Sequence, residues 1–240
     1  MPKYHKGRLR GAGRPLADLS EVLRAVLYVL KEGVSWRAVD APGVSWQAVY
    51  GHFRRWCLAG LWDQIMDKLT WHCRRRLVMA DATHIKVHRD GANPPGGQHT
   101  QAMGRTKGGL NTKLHALCDD RAQPKALILT PGQEADVSHA PTLLESTTAS
   151  HVLMDRGYDS DVLRDLIAAK GMKAWIPPRS NRKTPLAYDT TLYKQRHHVE
   201  NFFEKLKRCR RLATRYDKTA SCFMAFVLLA CCVLNLRNQF

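Results

Sequence analysis

The stretch "LVMADATHIKVHR", residues 77–89, decides how this chain folds. Its β-branched and apolar residues read as a strand, and it follows a long stretch of helical pattern. Within it Asp81 stands between Ala80 and Ala82. An acid inside an apolar strand is costly unless something compensates it. Downstream, "KLHALCDD" (113–120) and "KALILTPG" (125–132) read as two more strands, with "DDRAQP" as the turn between them. "HVLMD" (151–155) reads as a short buried strand ending in Asp155. "DSDVLRDLIAAKG" reads as a helix closed by Gly171, and "MKAWIPP" as a strand closed by prolines. Three strands in a hairpin series, then alternating helices and strands, predict a mixed α/β domain. Residues 88–112 are Gly- and Pro-rich and basic and read as one long loop, of the kind that tends to be functional or disordered.

Upstream of this, residues 16–70 are helical in pattern. "DLSEVLRAVLYVLKEG" places Leu19, Val22, Leu23, Val26, Leu27 and Leu30 on one face and ends at Gly33. A near-repeat follows, "GVSWRAV" (33–39) and "GVSWQAV" (43–49), joined by the turn "DAPG". Ser35 and Ser45 are each placed to cap a helix start. A short helix, a turn and a longer helix resemble a helix-turn-helix. Its second helix would present Gln47, Tyr50, His52, Arg54 and Arg55 to phosphates and base edges, while Trp36, Trp46, Phe53 and Trp56 fill the core. Residues 1–15 form a basic arm with Lys3, Lys6, Arg8, Arg10 and Arg14, expected to be disordered until it meets nucleic acid. The expected organisation is therefore an arm over 1–15, a helical DNA-binding domain over 16–72 and a catalytic α/β domain over 73–240.

Composition sets the class of partner. The chain of 240 residues is long enough for one medium domain and a small one, and it carries a formal net charge of +17. Its pI is about 9.9. Such a chain is drawn to polyanions, with nucleic acid first among them. The seven cysteines are odd in number, irregularly spaced and without a C-x-x-C, which argues against a disulfide framework or a zinc ribbon and for reduced thiols in a cytosol. There is no apolar signal core at the N-terminus. The most apolar run, "CFMAFVLLACCVLNL" (222–236), is shorter than the roughly 20 residues of a bilayer span and reads as a buried C-terminal helix.

One more segment carries chemistry: "YKQRHHVENFFEKLKRCRR", residues 193–211. Read as a continuous helix, it sets Tyr193, Arg196, Glu200, Glu204, Lys207 and Arg211 on one stripe and Val199, Phe202, Phe203 and Leu206 on another. Glu200 would be held rigidly among cations, as a metal-binding carboxylate beside a phosphate requires. Taken alone, the helix is explained as well by ion pairing of Arg196 with Glu200.

Several of these segments, taken in order, resemble DDE transposases of the bacterial insertion sequence 5 family. "MADATHIKVHR" resembles the first-Asp strand of that family, "DRGYDSD" its second-Asp block, and "AMGRTKGGLNTKLHALCD" with "LTPGQEADVSHAPTLLE" its central block. Tyr193, Arg196, Glu200 and Lys207 match the signature Y-x2-R-x3-E-x6-K, and "SWQAVYGHFRRW" resembles the N-terminal helical domain. The resemblance covers about residues 14–237. It implies a ribonuclease-H-like mixed sheet with flanking helices, in which Asp81, Asp155 and Glu200 hold two Mg²⁺ or Mn²⁺ ions. Hard oxygen ligands suit those ions, and a pair of them serves in-line phosphoryl transfer. Arg196 and Lys207 would then position the scissile phosphate and Tyr193 the terminal nucleotide, with Glu204 an ion-paired neighbour. The implied activity is cleavage at inverted-repeat ends and joining of the 3′-hydroxyl to target DNA. The partners are double-stranded element ends and target DNA, handled by a homodimer or larger assembly at the nucleoid of a bacterial cytoplasm.

Family members carry a further helical stretch before the "GRP" segment, expected here to be missing or shortened, which bears on end recognition rather than on the metal site. The alternative function is a non-catalytic DNA-binding remnant or regulator; a metal nuclease without strand transfer is a weaker third. His84 and His88 recur at i,i+4, but on a strand that spacing puts them about 13 Å apart, too far for one zinc ion. His84 is expected instead to flank the Asp81 site. "GRTKGG" (104–109) lacks the strand and helix context of a phosphate loop, so Arg105 and Lys107 are assigned to DNA tracking.

Overall fold

The 77–89 segment forms β1 (Leu77–Val87), and its pairing organises the molecule, a computed structural model describing residues 17–70, 76–183, 186 and 188–237. One edge of β1 is fully paired, antiparallel to β3 (Gly109–Asp119), with Asp81 opposite Ala116. The other edge is not. There β5 (His151–Leu153) pairs in parallel only with residues 77–79, and β7 (Thr214–Arg215) only with residues 86–87. Among the described residues, 80–85 of β1 have no strand on that side. Beyond β3 lie β2 (Gly104–Thr106) and β4 (Pro124–Pro131), and beyond β5 lies β6 (Lys173–Trp175). Among the described residues these seven strands form one mixed sheet.

Side chains alternate across a strand, and β1 feeds a core on each face. Leu77, Met79 and Ile85 join a core with α1 (Leu19–Glu32), α2 (Trp46–Leu58), α3 (Leu61–Thr70), α7 (His197–Lys207) and α9 (Ala220–Arg237). Val78 and Ala80 join a second with α4 (Asp136–Leu143) and α5 (Asp161–Ala169). Asp81 shares the odd-numbered face with α7. α9 is apolar all round, as a buried helix is; Phe226 stacks on Phe53 and on Trp36. The N-terminal helices thus share a core with the C-terminal helix. Among the described residues no helix is long and apolar enough to cross a membrane.

Several local expectations are corrected. Residues 88–112 are not one loop: short helical turns form at Arg89–Gly91 and His99–Gln101, and "GRTKGG" is the hairpin of β2 and β3. The Thr106 hydroxyl accepts from Gly108 N–H, and Asn111 Nδ2 donates to Thr106 Oγ1 at 2.6 Å, side-chain bonds that fold the turn. Residues 193–211 are not one helix. α6 (Thr190–Tyr193) passes through a 3-10 turn at Lys194–Arg196 into α7, and α8 (Arg210–Ala213) follows a break at Cys209. Arg211 therefore leaves the Glu200 stripe and is buried against Asp217 at 2.8 Å. Ser45 caps α2, but Ser35 makes no capping bond. The basic arm over 1–15 lies outside the described residues, as do 71–75, where the helical and α/β domains were expected to join.

Candidate active site

The unpaired stretch of β1, beyond the carboxyl end of β5, is where a crevice is expected in a sheet of this kind. The predicted residues meet there. Arg196, at the start of α7, donates from Nη1 to Asp81 Oδ2 at 2.8 Å and from Nη2 to Glu200 Oε1. Two carboxylates that are 119 positions apart in sequence thus share one guanidinium. α7 is fixed against the sheet by its buried Val199, Phe202, Phe203 and Leu206, so Arg196 and Glu200 are presented by a packed element. Lys207, one end of α7 away, donates to Thr83 Oγ1 at 2.6 Å and so ties the helix to β1 two residues beyond Asp81.

Asp155 follows β5 and caps a 3-10 turn, accepting from Gly157 N–H at 2.8 Å. It lies close enough to Asp81 to act on its charge. Burial pushes the Asp81 carboxyl above its ordinary range; Arg196 and the Ala82 N–H oppose that, and Asp155 adds to it. Burial likewise lowers the Lys207 ammonium and raises the Tyr193 phenol, the latter also under the influence of Asp155 and Asp81. The Tyr158 phenol, buried near Asp81 and Asp155, finds no hydrogen-bond partner among the described residues.

Asp81, Arg196 and Glu200 are therefore in direct contact, Lys207 and Thr83 form a second contact nearby on β1, and Asp155 and Tyr193 act on the Asp81–Arg196 pair through their charges. Among the described residues no three His, Cys, Asp or Glu side chains are gathered closely enough to hold an ion as they stand. The donor set nonetheless fits a divalent cation. It is all-oxygen, and two of its carboxylates already converge on a positive group. Glu204 makes no ion pair among the described residues, contrary to expectation. His84, expected to flank the Asp81 site, instead lies on the opposite face of β1; its partial burial, and then Lys113 and Lys207, lower its pKa. Arg54 and Arg55 are exposed on α2, and Arg105 and Lys107 are exposed on the β2–β3 hairpin.

Three residues had no role assigned from sequence. Thr83 is legible only once Lys207 is known to reach β1. Asp159 is the second: its buried carboxylate accepts from Arg164 Nε at 2.9 Å, Arg182 Nε at 3.0 Å and Arg179 N–H at 2.8 Å. Arg179 in turn donates to Gly157 O at 2.9 Å, so the turn after Asp155 is fixed from outside. These arginines hold Asp159 down at about 2 against the opposing effect of burial. Its signal was the crowding of acids in "DRGYDSD", which does not say which acid is structural. Asp136 is the third, paired with the buried Lys113 at 2.9 Å.

The family described as "Transposase DDE domain" matches residues 72–236, and that described as "Putative transposase of IS4/5 family" matches residues 1–66. Two relatives are named "Putative transposase" for an insertion sequence element. One, for IS6501 of Brucella ovis, is 42% identical over 130 residues, which is 53% of this chain and all of the relative. The other, for IS402 of Burkholderia cepacia, is 29% identical over 155 residues, covering 56% of this chain and 71% of the relative. A solved piggyBac transposase synaptic complex with hairpin DNA is similar in fold, with a TM-score of 0.51 at 11% identity over 98% of this chain and 70% of that one.

Proposed function

Because the chain belongs to the transposase DDE-domain family, and so is a DNA transposase with a ribonuclease-H-like fold, we propose that Asp81, Asp155 and Glu200 are its catalytic carboxylates. The observation that carries this is the shared guanidinium: Arg196 joins Asp81 to Glu200 at the open edge of β1, with Asp155 beside them. Carboxylates drawn from a strand, a turn and a helix are otherwise dispersed through the chain. The three would hold Mg²⁺ or Mn²⁺, two ions in all, which would supply Lewis-acid activation of an attacking hydroxyl and stabilisation of the leaving oxygen.

The chain's own groups do the positioning. Arg196 can exchange its carboxylate partners for a phosphate oxygen, to which its planar fork is equally suited. Lys207, pinned to Thr83, offers a second cation at fixed distance from Asp81. Tyr193, bordering the site, stacks on or bonds the terminal nucleotide. The reaction is hydrolytic cleavage at inverted-repeat ends, then attack of the freed 3′-hydroxyl on target DNA. Two ends must be joined, so the working assembly is a homodimer or larger. Residues 16–72 act as the DNA-binding domain, with Arg54 and Arg55 of α2 on the nucleic acid; Val49 and Phe53, buried on the opposite side of that helix, leave them exposed. Arg105 and Lys107 contact the backbone from the hairpin.

The test is nicking of a labelled duplex carrying the element's own end, in Mg²⁺ or in EDTA. Asp81→Asn, Asp155→Asn and Glu200→Gln should each abolish cutting and leave DNA binding within a fewfold of wild type. Cutting retained by Glu200→Gln would remove α7 from the catalytic set.

A further inference from the structure

On the other face of β1 from Asp81 lies a groove that the carboxylate site does not use. His84 and Lys86 of β1, Thr106 and Lys107 of the β2–β3 hairpin, Asn111 of β3 and Gln133 after β4 line about 630 Å³ of open space. No acid is among the described residues that line it. Its two lysines face it from separate elements, so the positive charge is spread along the groove rather than placed at one point.

The walls are built to hold this shape. Gly132 packs so tightly on β3 that a Cβ there would lie 2.8 Å from Asn111 Cβ. At Gly104 a Cβ would fall on the Gln133 carboxamide, so Gln133 lies over bare backbone. The turn that carries Gln133 is held by the buried Lys113, which donates to Glu134 O at 2.6 Å and pairs with Asp136 at 2.9 Å. Asn111 is buried and bonds Thr106 Oγ1 and Gly109 O, fixing the hairpin as the opposite wall. The lining thus combines two ammonium groups with carboxamides and a hydroxyl on fixed backbone.

We propose that this groove binds the sugar–phosphate backbone of the DNA strand that runs on from the carboxylate site, irrespective of base sequence; the inference rests on the function proposed above. Cations with amide and hydroxyl donors are the groups that contact phosphate and sugar rather than base edges. His84 and Lys86 lie three and five residues along β1 from Asp81, roughly 10–17 Å of strand. At about 3.4 Å of rise per nucleotide, and with the two sites on opposite faces of β1, this sets the contacted phosphates at least about three to five nucleotides from the one being cut. Lys207, bonded to Thr83 on the Asp81 face of β1, also lies near enough to His84 to act on its charge.

The experiment is a fluorescence-anisotropy titration of a mixed-sequence duplex in EDTA, across a salt series. It compares wild type, a Lys86→Ala/Lys107→Ala variant and a charge-matched Lys170→Ala/Lys173→Ala variant, each checked for an unchanged melting temperature. Lys170 and Lys173 lie at the far β6 end of the sheet. The groove variant should flatten the slope of log K against log salt by about 1.8, from two phosphate contacts at about 0.9 each, while the control keeps the wild-type slope. Equal slopes for the two variants would overturn the groove. EDTA separates this result from cleavage. A protein that loses slope in the groove variant yet never nicks DNA would refute the proposed catalysis and keep the groove. One that nicks but loses no slope would do the reverse.

Discussion

Arg196→Gln should tighten binding of a divalent cation in the absence of DNA, even as it impairs cleavage. The wild-type guanidinium sits on the same oxygens that an ion would take. Its bond to Asp81, at 2.8 Å, joins side chains that are 18% and 19% exposed. A charge-assisted bond of that burial is worth about 1.5–3 kcal/mol. Its bond to Glu200 faces solvent, since that carboxylate is 53% exposed, and contributes about 0.5 kcal/mol. An entering ion must displace both, so about 2–3.5 kcal/mol of its gross affinity is spent on Arg196. At 1.4 kcal/mol per decade the variant should bind Mn²⁺ about 30–300-fold more tightly. Isothermal titration calorimetry measures this directly. It should be run near pH 8, because burial raises the Asp81 pKa and loss of Arg196 raises it further. Equal or weaker Mn²⁺ binding by the variant would refute the idea that Arg196 and the metal compete for one set of oxygens.

Three further outcomes follow from the same contacts. Asp159→Asn should cost about 2 kcal/mol near neutral pH, from the difference between 3.8 and about 2 for the native carboxyl at 1.36 kcal/mol per pH unit. A lowered native pKa stabilises above the unfolded value and is lost as pH falls, so urea melts of wild type and variant should converge between about pH 4 and pH 2; a gap that stays constant to pH 2 would contradict the assignment. Thr83→Val removes the hydroxyl that fixes Lys207 and should slow cleavage about fivefold, roughly 1 kcal/mol, with duplex affinity nearly unchanged; an unchanged single-turnover rate would show that Lys207 needs no anchor. Asp217→Ala leaves Arg211 buried without its carboxylate and should cost about 3–5 kcal/mol in a urea melt, and a loss below 1 kcal/mol would mean that water reaches the pair.

What the sequence disclosed and what it withheld divide along physical lines. Period-2 and period-3.6 patterns located β1, β3, β4, α1, α5 and α9, because burial on one face or all round leaves a local signature. The apolar stripe of α7 was legible for the same reason. Turn chemistry was harder to see: "GRTKGG" has a loop's composition, yet Thr106 and Asn111 side-chain bonds fold it into a hairpin. The helix through 193–211 ran too far because the wheel places Arg211 by angle alone, whereas the backbone turns extended at Cys209 and Arg211 pairs instead with Asp217. Contacts distant in sequence leave no local trace at all. Arg196 to Asp81 spans 115 positions and Lys207 to Thr83 spans 124. Hence the carboxylates could be named from motifs, but Thr83, Asp159 and the Lys113–Asp136 pair could not.

The position of Asp81 in mid-strand, at first sight a cost without a benefit, follows from how little of β1 its neighbours cover. β5 is three residues long and β7 two, and they reach β1 from opposite ends of the same edge. A longer β5 would pair with β1 beyond Met79 and close the edge beside Asp81. Stopping β5 at Leu153 and turning the chain at Asp155 opens the edge and delivers the second carboxylate in one step. The gap is thus the structural cause of the site. It lets a strand residue, a turn residue and a helix residue come to the same opening.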